Sequence, residues 1–514
     1  MRDHVKNAAV SLLVGATLVA GVIALAPGWG EDPPPAPGPA GRAMAAAGAG
    51  APAAPADLAA LIEDRERWLK DHPRDEESWA VLGTAYVQRG VRLAQSAQFP
   101  KAERALKKSL DVVPADEGNV EAMAGMAALA NARRDFAGAR GWGERAVKRK
   151  PKRWTTYPLL IEAYSGLGDY KAAGKAVDRM LELNSGPQAR GVAALVYRDR
   201  GWREDAAATA HDAAANAEGP EQKAAALHRM GEFAWERGEP AEAIAHYDAA
   251  LRARSDHHAS LAGRARALAA LGRTDEALRD YGAAQKGRPL PAYALEAGEL
   301  YQSLGLDGDA RLQYERLRDG VAEAAKHGVD STLLLGRYEA DHGSAEAAVR
   351  RLQAQWDKGR RSVDMADALA WALHRAGRSQ QALEFARKAT DKGRRSALFS
   401  YHRGEIERSL GRYGAARRHL EEAVRTNPDF SPMWAPKARE ALEAIGEPPE
   451  GGPRELERPA GTPAPTPSPS GAASASPSGA ASASPSGAAS TATPAPRSPS
   501  PSPSPTASGS PAGS

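Results

Sequence analysis

The sequence contains no cysteine among its 514 residues. This absence excludes disulfides, thiolate metal sites, cysteine nucleophiles and a lipid-modified N-terminal cysteine. An excess of one charge is also missing, because 68 Lys and Arg face 64 Asp and Glu, a formal net charge of +4. Such balance gives no general electrostatic argument for nucleic acid or for a charged membrane surface. We therefore expect a fold held by packing alone and no nucleic-acid partner.

Long apolar stretches are lacking except near the N-terminus, where residues 8–26 read AAVSLLVGATLVAGVIALA. As a helix this run would reach roughly 28 Å, about the hydrocarbon thickness of a bilayer. Arg2 and Lys6 precede the run, and Glu31 and Asp32 follow it. Because basic flanks stay on the cytoplasmic side, we expect the membrane to be contacted through this segment and the body to be exported.

Residues 1–26 are either a single-span membrane anchor or a cleaved signal peptide. Ala24 and Ala26 form a small-x-small cleavage site, but Pro27 would follow the cut, and the run is longer than a usual signal core. These two features favour retention. We expect an anchored protein with its body outside the cytoplasm, and secretion after cleavage is the alternative.

Composition divides the rest of the chain into three parts. Residues 27–56 and 446–514 are dominated by Pro, Ala, Gly, Ser and Thr, whereas 57–445 carries nearly all of the Leu, Trp and Tyr. Segments with so few apolar residues cannot offset the chain entropy of folding. We expect a disordered linker over 27–56, an ordered body over 57–445 and a disordered tail over 446–514. The tail is either an unmodified low-complexity segment or a glycosylated spacer.

The ordered body repeats one spacing ten times. An Ala stands five residues after a marker position, with an insertion before the Ala in the first unit, and the steps between markers are 44, 34, 33, 37, 34, 33, 38, 34 and 34 residues. A period near 34 is the length of a two-helix repeat. The markers are Gly90, Arg134, Gly168, Gly201, Gly238, Gly272, Gly305, Gly343, Gly377 and Gly411.

The first unit carries the pattern of a known repeat family. Trp79, Leu82, Gly83 and Tyr86 fall in its first helix, and Ala102 centres its second. Over about residues 76 to 445 the chain resembles tetratricopeptide-repeat (TPR) proteins. The resemblance implies an all-α fold, a right-handed superhelical α-solenoid of about ten TPR hairpins plus a C-terminal capping helix that starts near Ser431. Residues 57–70 would form the opening cap, with Asp57 as its N-cap.

Some units depart from the repeat pattern. The fourth has Arg190 and Ala193 where Trp and Leu are usual, so its hairpin is the least certain from the sequence. Extra residues between Gly90 and Ala102 would lengthen one or both helices of the first unit. Longer steps predict loop insertions at about residues 215–222 and 318–331.

In TPR solenoids the first helices line the concave side, so inner positions one helical turn apart make a groove. We expect this groove to bind an unidentified protein or peptide. Trp235 and Trp371 would be anchors if exposed and packing residues if buried. The candidate groove residues in the more aromatic half of the body are His228, Glu232, Trp235, Arg266, Glu299, Gln302, Arg337, Asp367, Trp371, His374, Tyr401, Glu405 and Arg408.

No motif in the sequence carries catalytic or cofactor chemistry. Residues 168–176 (GDYKAAGKA) only approach a phosphate-binding loop, because Ala176 stands where Ser or Thr is needed. Asp256, His257 and His258 lack a third, fixed metal ligand. The basic run 148–153 lies at a helix end, where positive charge favours the helix dipole and water. We expect no cofactor, no metal and no small-molecule substrate.

These observations predict a noncatalytic scaffold of the bacterial cell envelope that holds a protein or peptide in its groove. The alternative is a structural envelope spacer that contacts the wall through its Ser- and Pro-rich tail. The Lys and Asn positions that clamp chaperone tails in some TPR proteins hold Ala80, Thr84, Ala124, Ala128 and Glu162 here. A chaperone-tail receptor is therefore not expected.

Overall fold

The computed structural model describes residues 37–391 and 393–446. Its regular secondary structure over these residues is entirely helical. The apolar run at 8–26 and the tail from residue 447 onward lie outside the described residues. Within the described ranges, no helix combines the length and the apolar character that crossing a bilayer needs.

Ten helical hairpins form the body, which confirms the predicted α-solenoid. Each hairpin pairs a first helix with a second helix, and each stacks on the next. The hairpins are α3 (Glu76–Arg92) with α4 (Phe99–Val112), α5 (Val120–Ala132) with α6 (Phe136–Arg149), α7 (Tyr157–Leu167) with α8 (Tyr170–Leu183), α9 (Pro187–Asp199) with α10 (Arg203–Ala215), α11 (Gly219–Glu236) with α12 (Pro240–Ala253), α13 (His258–Ala270) with α14 (Thr274–Gly287), α15 (Pro291–Ser303) with α16 (Asp307–Lys326), α17 (Thr332–His342) with α18 (Ala345–Asp357), α19 (Val363–Arg375) with α20 (Ser379–Thr390), and α21 (Ala397–Ser409) with α22 (Tyr413–Thr426).

Three further helices close the two ends: α1 (Pro39–Gly48), α2 (Pro55–Asp71) and α23 (Trp434–Ile445). Helix α1 lies within the segment that the sequence assigns to a disordered linker, and it packs against α2. The N-cap of α2 is Ala54, so Asp57 is not the cap; its carboxylate accepts from Arg42 instead. The Ser431 hydroxyl accepts from the Trp434 amide at 3.2 Å at the start of α23.

The third hairpin shows why these residues form this unit. Gly168 takes a left-handed φ of 81° that ends α7, and the Asp169 carboxylate accepts from the Ala172 amide to begin α8. Ala173, Val177 and Met180 follow at helical spacing and are all buried. The stretch that approaches a phosphate-binding loop is therefore a hairpin turn and the start of a second helix.

Small residues let the paired helices approach. A Cβ added to Gly83 of α3 would lie 2.6 Å from Leu106 Cγ of α4, and Ala102 beside it is fully buried. The Ala at the marked position of each unit is buried throughout the ten hairpins. Close helix pairing therefore depends on small side chains at the positions that the repeat spacing identifies.

The two predicted loop insertions are largely helical, with loops only at residues 216–218 and 327–331. Extra residues in the fifth unit extend the start of α11, which is 18 residues long, and those in the seventh extend the end of α16, which is 20 residues long. The inserted residues lengthen helices because Pro220 suits the first turn of α11 and because Ala, Glu and Lys favour helix at the end of α16. The uncertain fourth unit forms a regular hairpin.

Successive turns of the superhelix contact each other along one line, which we call the seam. In each of hairpins 1 to 4, the end of the first helix, or the loop after it, contacts the loop that precedes the hairpin six units later in the chain. In hairpin 5, the corresponding contact is with the loop that precedes α23. Arg288 donates to the Val91 carbonyl at 2.5 Å, Asp330 N to Arg133 O at 2.9 Å, Arg361 N to Leu167 O at 3.1 Å, and Asn427 Nδ2 to Trp235 O at 2.7 Å, while the Gly393 carbonyl packs on Gly201.

Candidate binding interior

The seam closes the concave groove sideways and leaves two cavities inside the superhelix. The first-turn cavity, of about 1670 Å³, is lined by the first helices of hairpins 1 to 3, by hairpins 6 to 8 and by α1 and α2. The second-turn cavity, of about 500 Å³, is lined by the first helices of hairpins 5 to 10 and by the segment around α23. Inner faces of first helices therefore surround most of the enclosed space.

Seven of the thirteen candidate groove residues come together around the second-turn cavity. These seven are Glu232, Trp235, Arg266, Glu299, Arg337, Asp367 and Trp371. The other six, which do not line this cavity, are His228, Gln302, His374, Tyr401, Glu405 and Arg408.

One group of charges in the second-turn cavity is centred on Arg266. Its guanidinium lies 3.4 Å from Glu232 and 3.3 Å from Glu296, while the Tyr247 hydroxyl donates to Glu232 at 2.6 Å and the Tyr281 hydroxyl to Glu296 at 3.1 Å. Burial alone would raise the pKa of Glu232, but Arg266 and the hydroxyl bond lower it to about 2. Glu232 is therefore a paired carboxylate that remains charged.

A second group links the two superhelical turns. Asp364 accepts from Arg394 at 2.9 Å and from Arg337 at 3.2 Å, and Arg394 also lies 3.9 Å from Glu236. Although burial opposes ionisation, the two guanidinium groups lower the pKa of Asp364 to about 2. Glu236 is additionally 3.4 Å from Arg198. Each of these carboxylates thus has at least one arginine partner.

The aromatic candidates are packing residues and not exposed anchors. Trp235, Trp371 and Tyr401 are 7%, 4% and 2% exposed. The Trp371 indole donates to Asp341 at 2.9 Å and stacks on His402 with ring centroids 4.1 Å apart. Of the two interpretations that the sequence left open for Trp235 and Trp371, burial supports packing, and Tyr401 is buried in the same way.

The remaining candidates have local partners. His374 contacts the Ser379 hydroxyl at 3.0 Å, Gln302 accepts from Tyr314 at 2.8 Å, and Glu405 pairs with Arg408 within α21. His228 packs against the rings of Tyr247 and His257. These side chains reinforce the hairpins and do not converge on one point.

None of the thirteen candidate groove residues lines the first-turn cavity, although it is the larger of the two. Asn131 and Gln313, both buried, line it and present Asn131 Oδ1 and Gln313 Oε1 without a hydrogen-bond partner among the described residues. Burial raises the pKa of Glu162, which faces the same space. Hydrogen-bond acceptors in this state favour a ligand that supplies donors.

The Asp256–His258 loop and the end of the basic run have local partners. Within the described ranges no group of His, Asp and Glu is arranged to hold a metal ion. Asp256 pairs with Arg254, and His257 caps α13 by accepting from the Ser260 amide. At the end of the basic run, Arg153 pairs with Glu121.

Several residues that line the second-turn cavity are not among the thirteen candidates. Glu296 and Asp364 lie three residues before Glu299 and Asp367, and Glu236 lies four after Glu232, so each occupies the same helix face as a candidate. A spacing of three or four residues from a candidate could therefore have identified these three carboxylates in the sequence. Arg394 lies in a loop and Trp434 in the closing helix α23, so both fall outside a register mapped on first helices of repeats.

Comparisons with known proteins identify a repeat family and several structures of low similarity. A tetratricopeptide-repeat family model matches residues 228–292 and 368–432. No curated protein matches the chain. Solved structures that resemble it include an IFIT1 monomeric mutant with Gppp-AAAA, at 15% identity over 65% of this chain and 77% of that one, with a TM-score of 0.42. A tetratricopeptide repeat protein from Parabacteroides merdae has 18% identity over 50% and 98%, with a TM-score of 0.31, and yeast Tom70 has 13% over 71% and 95%, with a TM-score of 0.31.

Proposed function

Since the chain is a tetratricopeptide-repeat protein, we propose that it is a noncatalytic scaffold of the bacterial cell envelope that holds an extended polypeptide inside its superhelix. The enclosed interior carries this proposal, because two cavities follow one another along the inner faces of the first helices. Cavities of about 300 to 1,000 Å³ suffice for compact ligands. The larger of the two exceeds that range and suits a chain segment.

The chemistry of the lining supports a polypeptide over a nucleic acid. Eight carboxylates and five arginines line the second-turn cavity, an acidic balance that disfavours phosphates. In the first-turn cavity, the unpartnered Asn131 and Gln313 oxygens are acceptors that backbone N–H groups of a bound segment would satisfy. Both features favour a peptide ligand.

The envelope location is part of the same proposal and rests on the sequence. The apolar run at 8–26, preceded by Arg2 and Lys6, would hold the protein in the membrane with the body outside the cytoplasm. The tail from residue 447 would then also lie outside.

The absence of cysteine makes a location test clean, because any introduced cysteine is the sole thiol. Glu384 is exposed on the outer helix α20. We expect a Glu384→Cys variant to react with a membrane-impermeant maleimide in intact cells. Labelling only after the membrane is broken would contradict an exported body.

The binding test uses a thiol-linked photocross-linker at interior and exterior sites. Thr84→Cys faces the first-turn cavity and Ala270→Cys the second, whereas Lys171→Cys and Glu384→Cys are exterior controls. We expect one polypeptide adduct from the interior sites and little from the exterior ones. If adducts form only through the tail or outer faces, the chain is a spacer and the scaffold proposal fails.

A further inference from the structure

The second-turn cavity has one region where three carboxylates share a single arginine, Arg375, at 3.6 Å from Asp341. Glu299, Asp341 and Asp367 line it from the consecutive first helices α15, α17 and α19, and we call these three residues the acidic end. Elsewhere on the cavity wall, Glu232, Glu296 and Asp364 each have an arginine within 3.4 Å. The two parts of the same cavity therefore differ in charge balance.

The partners of the acidic end are two histidines, one indole and one arginine. Glu299 lies 3.8 Å from His342 Nε2, and Asp341 accepts from the Trp371 indole, with the largely exposed Arg375 at 3.6 Å. Asp367 is 2% exposed. Its Oδ1 bonds to His402 at 2.9 Å, but its Oδ2 has no hydrogen-bond partner among the described residues.

A buried carboxylate oxygen without a donor is costly, and a donor from outside would relieve it. Burial also raises the pKa of Glu299 and of Asp341, and the charge of Asp341 raises that of Glu299 further. At both positions burial outweighs the pKa-lowering effect of the neighbouring positive groups. A cation entering the cavity would lower the free energy of all three groups.

Aromatic rings border the acidic end and are suited to the same kind of ligand. Trp371 and Trp434 meet edge to face with centroids 5.6 Å apart, and both line the cavity. The Arg375 guanidinium already lies 5.9 Å from each ring centroid. Indole faces attract cations, so the rings and the carboxylates act together on a guanidinium or ammonium group.

We propose that the acidic end binds a lysine or arginine side chain of the polypeptide held in the interior. This rests on the proposed function, because it specifies one residue type of the partner that the scaffold holds. Charge complementarity selects the occupant, since the lining carries eight carboxylates against five arginines. The tail of this chain offers no such excess, because residues 448–514 hold three basic and three acidic residues.

The test measures fluorescence anisotropy of a labelled peptide with the purified full chain in detergent at physiological salt. The probe is a fluorescein-labelled twelve-residue peptide of alternating Ala and Lys, and its control is the same peptide with every lysine acetylated. We expect the unmodified peptide to bind at least about tenfold more tightly. Equal affinity for the two peptides would overturn the proposal.

Variants then locate the effect. The triple variant Glu299→Gln/Asp341→Asn/Asp367→Asn keeps each side chain close to its original size and removes three charges. A matched triple, Glu315→Gln/Asp357→Asn/Glu384→Gln, removes three exposed carboxylates from the second helices. We expect the first triple to lose at least about tenfold in affinity for the lysine peptide and the second to change it by less than about twofold. Equal losses would place the peptide on the outer surface and overturn the proposal.

Two further arms separate the possible failures. Competition by spermine as effective as that by unlabelled lysine peptide would indicate a small-cation site and contradict a side-chain occupant. Thermal melts of both triples check folding, and removal of mutual repulsion should leave the first triple at least as stable as the parent. If interior cross-links form but the acetylated peptide binds equally well, this inference fails while the scaffold stands. If no interior cross-links form, the scaffold itself fails.

Discussion

Asn427 Nδ2 donates a hydrogen bond of 2.7 Å to the carbonyl oxygen of Trp235, 192 residues earlier in the chain. Asn427 is 3% exposed and lies in the loop that precedes the last helix. The bond is the final contact of the seam that joins successive superhelical turns. Because of that seam, the concave face is an enclosed interior.

Substitution of a seam glycine should destabilise more than the same substitution elsewhere. Gly201 and Gly272 both have positive φ, but a Cβ on Gly201 would collide with the Gly393 carbonyl, whereas nothing lies within 4 Å of one on Gly272. We expect Gly272→Ala to cost about 1–2 kcal/mol of unfolding free energy and Gly201→Ala about 2–5 kcal/mol. Chemical denaturation measures both. Equal losses would mean that the turns do not pack in solution.

Loss of the Asp364 charge should weaken the link between the superhelical turns. Asp364→Asn leaves Arg394 and Arg337 without their shared anion, and about a third of the Asp364 side chain is exposed. We expect a loss of about 2–4 kcal/mol. The exposed pair Glu63 and Arg67 is the control, and Glu63→Gln should change stability by less than about 0.5 kcal/mol. If Asp364→Asn lost no more stability than Glu63→Gln, the pairing of Asp364 with Arg337 and Arg394 would be contradicted.

Stability should fall as the pH drops below about 6.5. Burial and the nearby positive charges lower the pKa of His257 to about 3, and burial lowers that of His374 to about 4. An unfolded histidine binds its proton near pH 6.5, so between that value and the folded pKa only the unfolded state is protonated, which disfavours folding.

The His257→Asn variant isolates one of these groups. The oxygen of the introduced asparagine can still accept a hydrogen bond from the Ser260 amide, as the His257 ring does at 3.3 Å in the parent. Melting temperatures between pH 7.5 and 4.5 should therefore decline less steeply in the variant than in the parent. An identical pH slope would show that His257 is not buried in its neutral form.

Trp371 should behave as a core residue. With 4% of its surface exposed and its indole bonded to Asp341, Trp371→Ala should cost about 3–5 kcal/mol. Trp202 is 46% exposed, so Trp202→Ala should cost less than about 1 kcal/mol. Denaturation curves compare the two. If the Trp371→Ala protein were as stable as the parent, Trp371 would not be a core residue, and the exposed-anchor interpretation would be favoured.

Local pattern was sufficient to predict the hairpins. The Gly-to-Ala spacing identifies all ten, because close pairing of two helices is decided within about 34 residues. Arg134 shows that the spacing matters more than the glycine, since it adopts a φ of 61° in the same place. Gly90 departs from the pattern because it lies inside α3, where a Cβ would meet Phe99.

The interior was only half predictable. A single helix-face register found Glu232, Arg266 and Asp367. The contact of Arg394 with Glu236, in contrast, depends on how rotations accumulate over the intervening hairpins. The accumulated rotation is a sum over many pairs of helices, and no residue spacing in the sequence encodes it directly. For the same reason, the sequence could not show that the first-turn cavity would be closed by later hairpins.

The proposed function requires that a partner polypeptide binds inside the superhelix and not on its outer surface. The deciding measurement is the cross-link yield in intact cells from Ala270→Cys, inside the second-turn cavity, relative to Glu384→Cys on the outer helices. We predict that the interior site forms a single polypeptide adduct in at least about tenfold higher yield, because the seam encloses the bound segment. Equal yields, or an adduct from the outer site alone, would contradict an interior that binds the partner.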